Sequence, residues 1–131
     1  MKPEVQQAIE EIRSAFPGVC LDSEPDADGG AFVTTGDLDL GPHYEPQCSW
    51  CGFHITFQYP FADIYPHYFR ASLRRKDGKP LGEAFHANHQ WQHPARTDAT
   101  TMVSRRSNHR DPATETAALK LAKVLDWIRT R

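Results

Sequence analysis

At 131 residues the chain has room for one domain around a single core, and not for two. The 15 basic and 17 acidic side chains give a formal net charge of −2, without the basic excess of a protein that draws its affinity from phosphate contacts, so generic nucleic-acid binding is disfavoured. The N-terminus runs directly into polar residues, no apolar run approaches the roughly 20 residues of a membrane span, and the three cysteines are an odd number for a disulfide framework; the expectation is a cytoplasmic protein with reduced thiols and no membrane partner.

Residues 2–16 read as an amphipathic helix, because Val5, Ala8, Ile9, Ile12 and Phe16 recur at three- and four-residue spacing and Pro17-Gly18 ends the run. Such a stripe needs a sheet to cover. A first strand starts within 19–21, residues 22–30 form a loop or wide turn rich in Asp, Pro and Gly, and 31–35 resume strand character. Asp37-Leu38-Asp39-Leu40 alternates polar with apolar and can pair at an edge before Gly41-Pro42 breaks it. The clearest strand is 52–59. Phe53, Ile55, Phe57 and Tyr59 fall on one side and His54, Thr56 and Gln58 on the other, the pattern of a sheet with one wet face. Pro60 has no N–H to give a ladder, so a further strand, near 68–73, begins only after the Tyr65-Pro66 turn. From 82 to 109 the chain is polar, poor in aliphatic residues and rich in His, Asn, Thr and Arg, the profile of a long irregular functional flap. Asp111 is placed to cap, and Pro112 to open, a closing helix whose apolar face is Ala118, Leu121, Val124, Leu125 and Ile128. The expected fold is α+β, one domain over 1–131, with an antiparallel meander of about four strands between N- and C-terminal helices.

Two groupings carry chemistry by residue type. Cys48-Ser49-Trp50-Cys51, flanked by His43 and His54, has the spacing at which two thiolates share a zinc ion. A second pair is missing and His54 lies within the strand, so a plain turn without metal is expected. A redox pair fits less well, because the motif neither follows a strand nor opens a helix. His86, Asn88, His89 and His93 crowd the flap; imidazoles titrate near neutral pH and an Asn amide can donate to an oxyanion, so general-base and oxyanion roles would sit there. The basic residues Arg70, Arg74, Arg75 and Lys76, and the pair Arg105-Arg106, read as solvated surface unless a partner uses them.

The strand at 52–59, the Tyr65-Pro66 loop and the strand at 68–73 together resemble the centre of the ubiquitin-conjugating (UBC-like) fold, in which an aromatic strand runs into a Tyr-Pro loop and a further strand leads to the active-site flap. Phe85-His86-Ala87-Asn88 is similar to that family's Tyr-His-Pro-Asn flap signature, with Phe for Tyr and Ala for Pro. In outline the resemblance covers residues 2–128. It implies a component of a ubiquitin-like protein conjugation pathway whose partners are a ubiquitin-like protein and its activating enzyme, with His86 and Asn88 in the flap and Tyr65 and Pro66 in a binding loop.

The family's catalytic cysteine follows the flap Asn, and no residue after Asn88 is a cysteine. A substitution of a native cysteine, at Ala95 or Ala99, would account for this. So would a non-catalytic protein, or a hydroxyl nucleophile from Thr97, Thr100, Thr101 or Ser104, since an activated hydroxyl forms an acyl ester as a thiol forms a thioester. Ser104-Arg105-Arg106-Ser107-Asn108-His109 resembles a Ser-Arg segment of bacterial UBC-like families encoded beside ubiquitin-like proteins and their activating enzymes. That resemblance implies a bacterial pathway linked to antiphage defence, with Arg105 and Arg106 as binding residues; Ser104 is the candidate hydroxyl on chemical grounds alone. The alternatives are an RWD-like module, which shares the element order and docks proteins without acyl transfer, and a small zinc-stabilised domain around Cys48 and Cys51. No cofactor is implied.

Overall fold

The computed structural model describes the backbone of residues 1–93 and 96–131 and the side chains of 1–91 and 99–131. In chain order the elements are α1 (Pro3–Ala15), β1 (Leu21–Pro25), β2 (Ala31–Thr35), β3 (Leu38–Asp39), β4 (Tyr44–Glu45), β5 (Cys48–Ser49), β6 (Cys51–Ile55), β7 (His67–Arg70), β8 (Arg74–Arg75), β9 (Phe85–His93), β10 (Arg96–Val103) and α2 (Ala117–Arg129). Six strands form one antiparallel sheet in the order β1-β2-β6-β7-β10-β9, and the short pairs β3-β5 and β4-β8 lie beside it. The chain is thus α+β, with two helices flanking an antiparallel sheet of more strands than the hydrophobic pattern predicts. None of the described helices is long and apolar enough to cross a membrane.

Alternation decides which sheet face is covered. Val33, Phe53, Ile55, Phe69 and Val103 are buried in one core cluster with Val5, Ile9 and Ile12 of α1 and Leu121, Val124, Leu125 and Ile128 of α2. Phe32, His54 and Tyr68, one residue out of phase, remain half-buried on the other face, where the His54 ring stacks on Phe32 at 4.3 Å and its Nε2 lies 2.6 Å from Asp26 Oδ2. The two helices also pack against each other.

Residues 22–25, expected within a loop, belong to β1, and the strand expected near 68–73 ends at Arg70; three further sequence expectations change. The strand expected at 52–59 stops at Ile55, because β2 begins at Ala31, the residue paired with Ile55, and no described strand lies opposite residues 56–59. The chain turns instead, with Tyr59 N–H donating to Thr56 O (3.0 Å) and Phe61 N–H to Gln58 O (2.8 Å), so Phe57 is 45% exposed rather than in the core. Tyr59 returns to the interior and its Oη accepts the Ala117 N–H at 3.2 Å.

The region expected as an irregular flap is the long hairpin β9/β10. It escapes hydrophobic periodicity because β9 is an edge strand whose residues from His86 to Gln90 are exposed, while β10 buries two polar residues, Thr100 and Thr101, one on each face. Between the pairs His89↔Thr100 and His86↔Met102 the β9 side has one residue more, a β-bulge, and Asn88 takes it up at φ +62°, a region Asn tolerates better than most residues.

Finally, α2 starts at Ala117 and not at Pro112. Asp111 caps a separate turn, accepting the Ala113 N–H on Oδ1 (3.0 Å), and Thr116 caps the helix proper by accepting the Leu119 N–H (3.1 Å).

Candidate functional site

A lysine interrupts the apolar stripe of α2. Lys120 lies three residues from Ala117 and four from Val124, on the helix's buried face, and its side chain is only 4% exposed. A buried ammonium needs partners, and the loop at 104–111 together with the turn after β6 supplies them. Lys120 Nζ donates to Arg105 O (2.8 Å) and to Ser107 Oγ (2.7 Å), and it lies 3.1 Å from Asp63 Oδ1. Asp63 Oδ2 in turn accepts the Ser107 N–H at 2.7 Å.

Ser107 Oγ donates to Glu115 Oε1 (3.0 Å), which also takes Lys123 Nζ at 2.8 Å. Arg110 Nε lies 3.0 Å from Glu115 Oε2, an ion pair not aligned as a hydrogen bond, and its Nη1 donates to Phe61 O at 3.2 Å. Two carboxylates are therefore enclosed by three cations, and the loop is pinned to α2 through them. Removing one partner from such a set leaves an uncompensated buried charge, typically at a cost of about 3–5 kcal/mol.

Burial pushes the Lys120 pKa down, and Asp63 and Glu115 restore only part of the loss. For Asp63 burial acts upward, but the Ser107 N–H, Lys120 and the Ile64 N–H outweigh it and hold the carboxyl below its ordinary value. Glu115 behaves alike: burial raises it, and Lys123 and Ser107 bring it down further. Beneath the cluster His67 is fully enclosed, its ring 5.2 Å from Phe53, with neither ring nitrogen hydrogen-bonded among the described residues. Burial, reinforced by the charge of Lys120 and opposed by Asp63, pushes its pKa down to about 3, so it is neutral at physiological pH.

Ser107 is half-buried and opens into a cavity of about 200 Å³ walled by Arg105, Arg106, Lys123, Val124 and Trp127. Its hydroxyl sits between an amine and a carboxylate. Lys120 donates to Oγ and burial lowers its pKa, while Oγ donates in turn to Glu115 Oε1.

The residues singled out in the sequence fall in different places. His86 and His89 are exposed on β9 with rings 5.9 Å apart, and Asn88 forms the bulge. Among the described residues no hydrogen bond joins His86 or Asn88 to Ser104 or Ser107. Ser104 N–H donates to Ala84 O (2.8 Å); the hydroxyl that accepts from Lys120 is three residues on, at Ser107. Thr100 is buried and its Oγ1 donates to His89 O (3.0 Å), while Thr101 is buried beside it. Ala95, and the side chains of His93 and Thr97, lie outside the described residues. Tyr65 is 38% exposed, Pro66 is half-buried, and the guanidinium of Arg106 lies 5.1 Å above the Tyr65 ring; that of Arg105 lies 4.6 Å from Trp127. Thus the Tyr-Pro loop and the Ser-Arg segment do meet.

Cys48 is exposed on β5 and Cys51 buried on β6, its thiol pKa pushed up by burial. Among the described residues no group of three His, Cys, Asp or Glu is placed to hold a metal ion. Comparison with protein-family models, with curated proteins and with solved structures finds no match in any of the three.

Proposed function

We propose that this chain is a UBC-like component of a bacterial ubiquitin-like conjugation pathway, of the antiphage-linked kind, that carries the acyl group on Ser107 Oγ in place of a cysteine thiol. The observation that carries the reading is the 2.7 Å contact between Ser107 Oγ and the buried Lys120 Nζ, within the Ser-Arg segment. Supporting it are the order of helix, antiparallel sheet and helix, and the contact of that segment with Tyr65 of the Tyr-Pro loop.

In this reading the neutral Lys120 amine accepts the Oγ proton as Oγ attacks the activated C-terminal carbonyl of the ubiquitin-like protein, delivered by its activating enzyme. The product is an oxyester, which a substrate amine later opens. Asp63 positions both partners, since one carboxylate accepts the Ser107 N–H and pairs with Lys120. Because the base must be neutral, the transfer rate rises with pH through the Lys120 titration. Incubation with the two partner proteins and ATP tests this: an adduct should form on the wild type and on Ser104→Ala, and be lost in Ser107→Ala.

A docking module of the RWD kind is favoured by a different observation. Phe57 (45% exposed) and Phe61 (80% exposed) line an open groove of about 590 Å³ with Lys2, Glu4 and Tyr59. A stable complex with no adduct under the same conditions would select that reading.

A further inference from the structure

The wall of the Ser107 cavity has a charge that the serine chemistry leaves unused. Its ionisable side chains are Arg105, Arg106, Lys120 and Lys123, with no carboxylate among them. Lys120 and Lys123 are already answered by Asp63 and Glu115. Arg105 and Arg106 are not: among the described residues neither guanidinium has a carboxylate partner. Each is held by a ring instead, Arg105 at 4.6 Å from Trp127 and Arg106 at 5.1 Å from Tyr65. Trp127 is itself fixed by stacking on Phe85 at 5.3 Å and by Arg131 at 4.7 Å. A guanidinium held through its face keeps its N–H edge available, and that edge matches phosphate oxygens.

We propose that this cavity is a phosphate site, and that the donor attacked by Ser107 is a mixed carboxylic–phosphoric anhydride, the class to which acyl adenylates belong. The second clause rests on the serine reading above; the first does not. At about 200 Å³ the cavity suits a phosphoryl group and leaves a nucleoside outside. A thioester donor leaves as a thiolate, a single sulfur without the phosphoryl oxygens that two guanidinium edges match. With an acyl phosphate anhydride the step balances: the Oγ–carbonyl carbon bond forms, the bond from that carbon to the bridging oxygen breaks, the Oγ proton passes to the Lys120 amine, and the phosphate departs with the electron pair. Its growing charge is stabilised by Arg105 and Arg106, which line the cavity.

The test is calorimetric titration of the full chain at low ionic strength with inorganic phosphate, AMP and adenosine. AMP and phosphate should bind and compete, and adenosine should not. Arg105→Gln with Arg106→Gln should weaken AMP binding at least tenfold, and Lys at both positions should weaken it less. AMP binding no tighter than adenosine, or undiminished in the Gln pair, overturns the site. That comparison needs only wild-type protein if the Gln pair does not fold. Intact phosphate binding without an oxyester would remove the serine reading alone. An oxyester formed from a thioester donor but not from the adenylate would remove the anhydride donor alone.

Discussion

The Trp91 ring lies directly over Gly52: a Cβ built at position 52 would fall 2.6 Å from Cζ3 and 2.8 Å from Cε3 and Cη2. The ring also stacks with Trp50 at 6.2 Å and with Tyr68 at 5.9 Å, so the edge hairpin is fastened to the sheet's open face at this point. Gly52→Ala must displace a large, nearly buried ring, and overpacking of this kind costs about 1–3 kcal/mol. Thermal melting with a change in tryptophan fluorescence checks it. An alanine variant with unchanged stability and emission would show that the ring does not rest there.

Two phenylalanines four residues apart separate core from surface. Phe53 is fully buried between sheet and helices, so Phe53→Ala should cost about 3–5 kcal/mol. Phe57, in the turn, should cost about 1 kcal/mol when truncated, because 45% of its surface stays in water. Equal losses on denaturant unfolding would return Phe57 to the core.

His67 gives the fold a pH dependence of its own. Its pKa is 6.5 unfolded and about 3 folded, so below 6.5 the unfolded state binds the proton first, and stability falls as pH falls until about 3. Between pH 6.5 and about 5 the loss is about 2 kcal/mol. Asp63 and Glu115, both lowered, act in the same direction but further into acid, where the stability they contribute at neutral pH is lost as the pH falls through their folded pKa values. His67→Phe should therefore flatten the stability profile above about pH 5 and leave the acid limb. A variant that keeps the upper slope would assign it to another group.

The parts of the fold that were legible in the sequence are those where a repeat meets a partner of matching length. The stripe of Val5, Ala8, Ile9 and Ile12 predicts α1, and Phe53 and Ile55 predict the inner face of β6. The end of that strand was not legible, since it depends on where β2 begins. The β9/β10 hairpin was hidden because an edge strand with exposed residues carries no alternation. The Ser-Arg segment and the Tyr-Pro loop, each visible in the sequence, meet in the fold through Arg106 and Tyr65, and the contact with Lys120 is made by Ser107 rather than by Ser104. Lys120 was visible as a charge within an apolar stripe. Its meaning required Ser107 and Asp63, 13 and 57 residues away in the chain, and contacts at those separations leave no periodic trace.

The linkage chemistry of the adduct separates a serine carrier from a thiol one. The chain is mixed with the ubiquitin-like protein and activating enzyme of the proposed pathway and ATP, and the product is divided between thiol reductant and dilute hydroxide before the linkage is mapped by mass spectrometry. The serine mechanism predicts an adduct on Ser107 that survives reductant and is cleaved by hydroxide, as an oxyester is, and that becomes reductant-labile in Ser107→Cys. A reductant-sensitive adduct on the wild-type chain that maps to Cys20, Cys48 or Cys51 would contradict it.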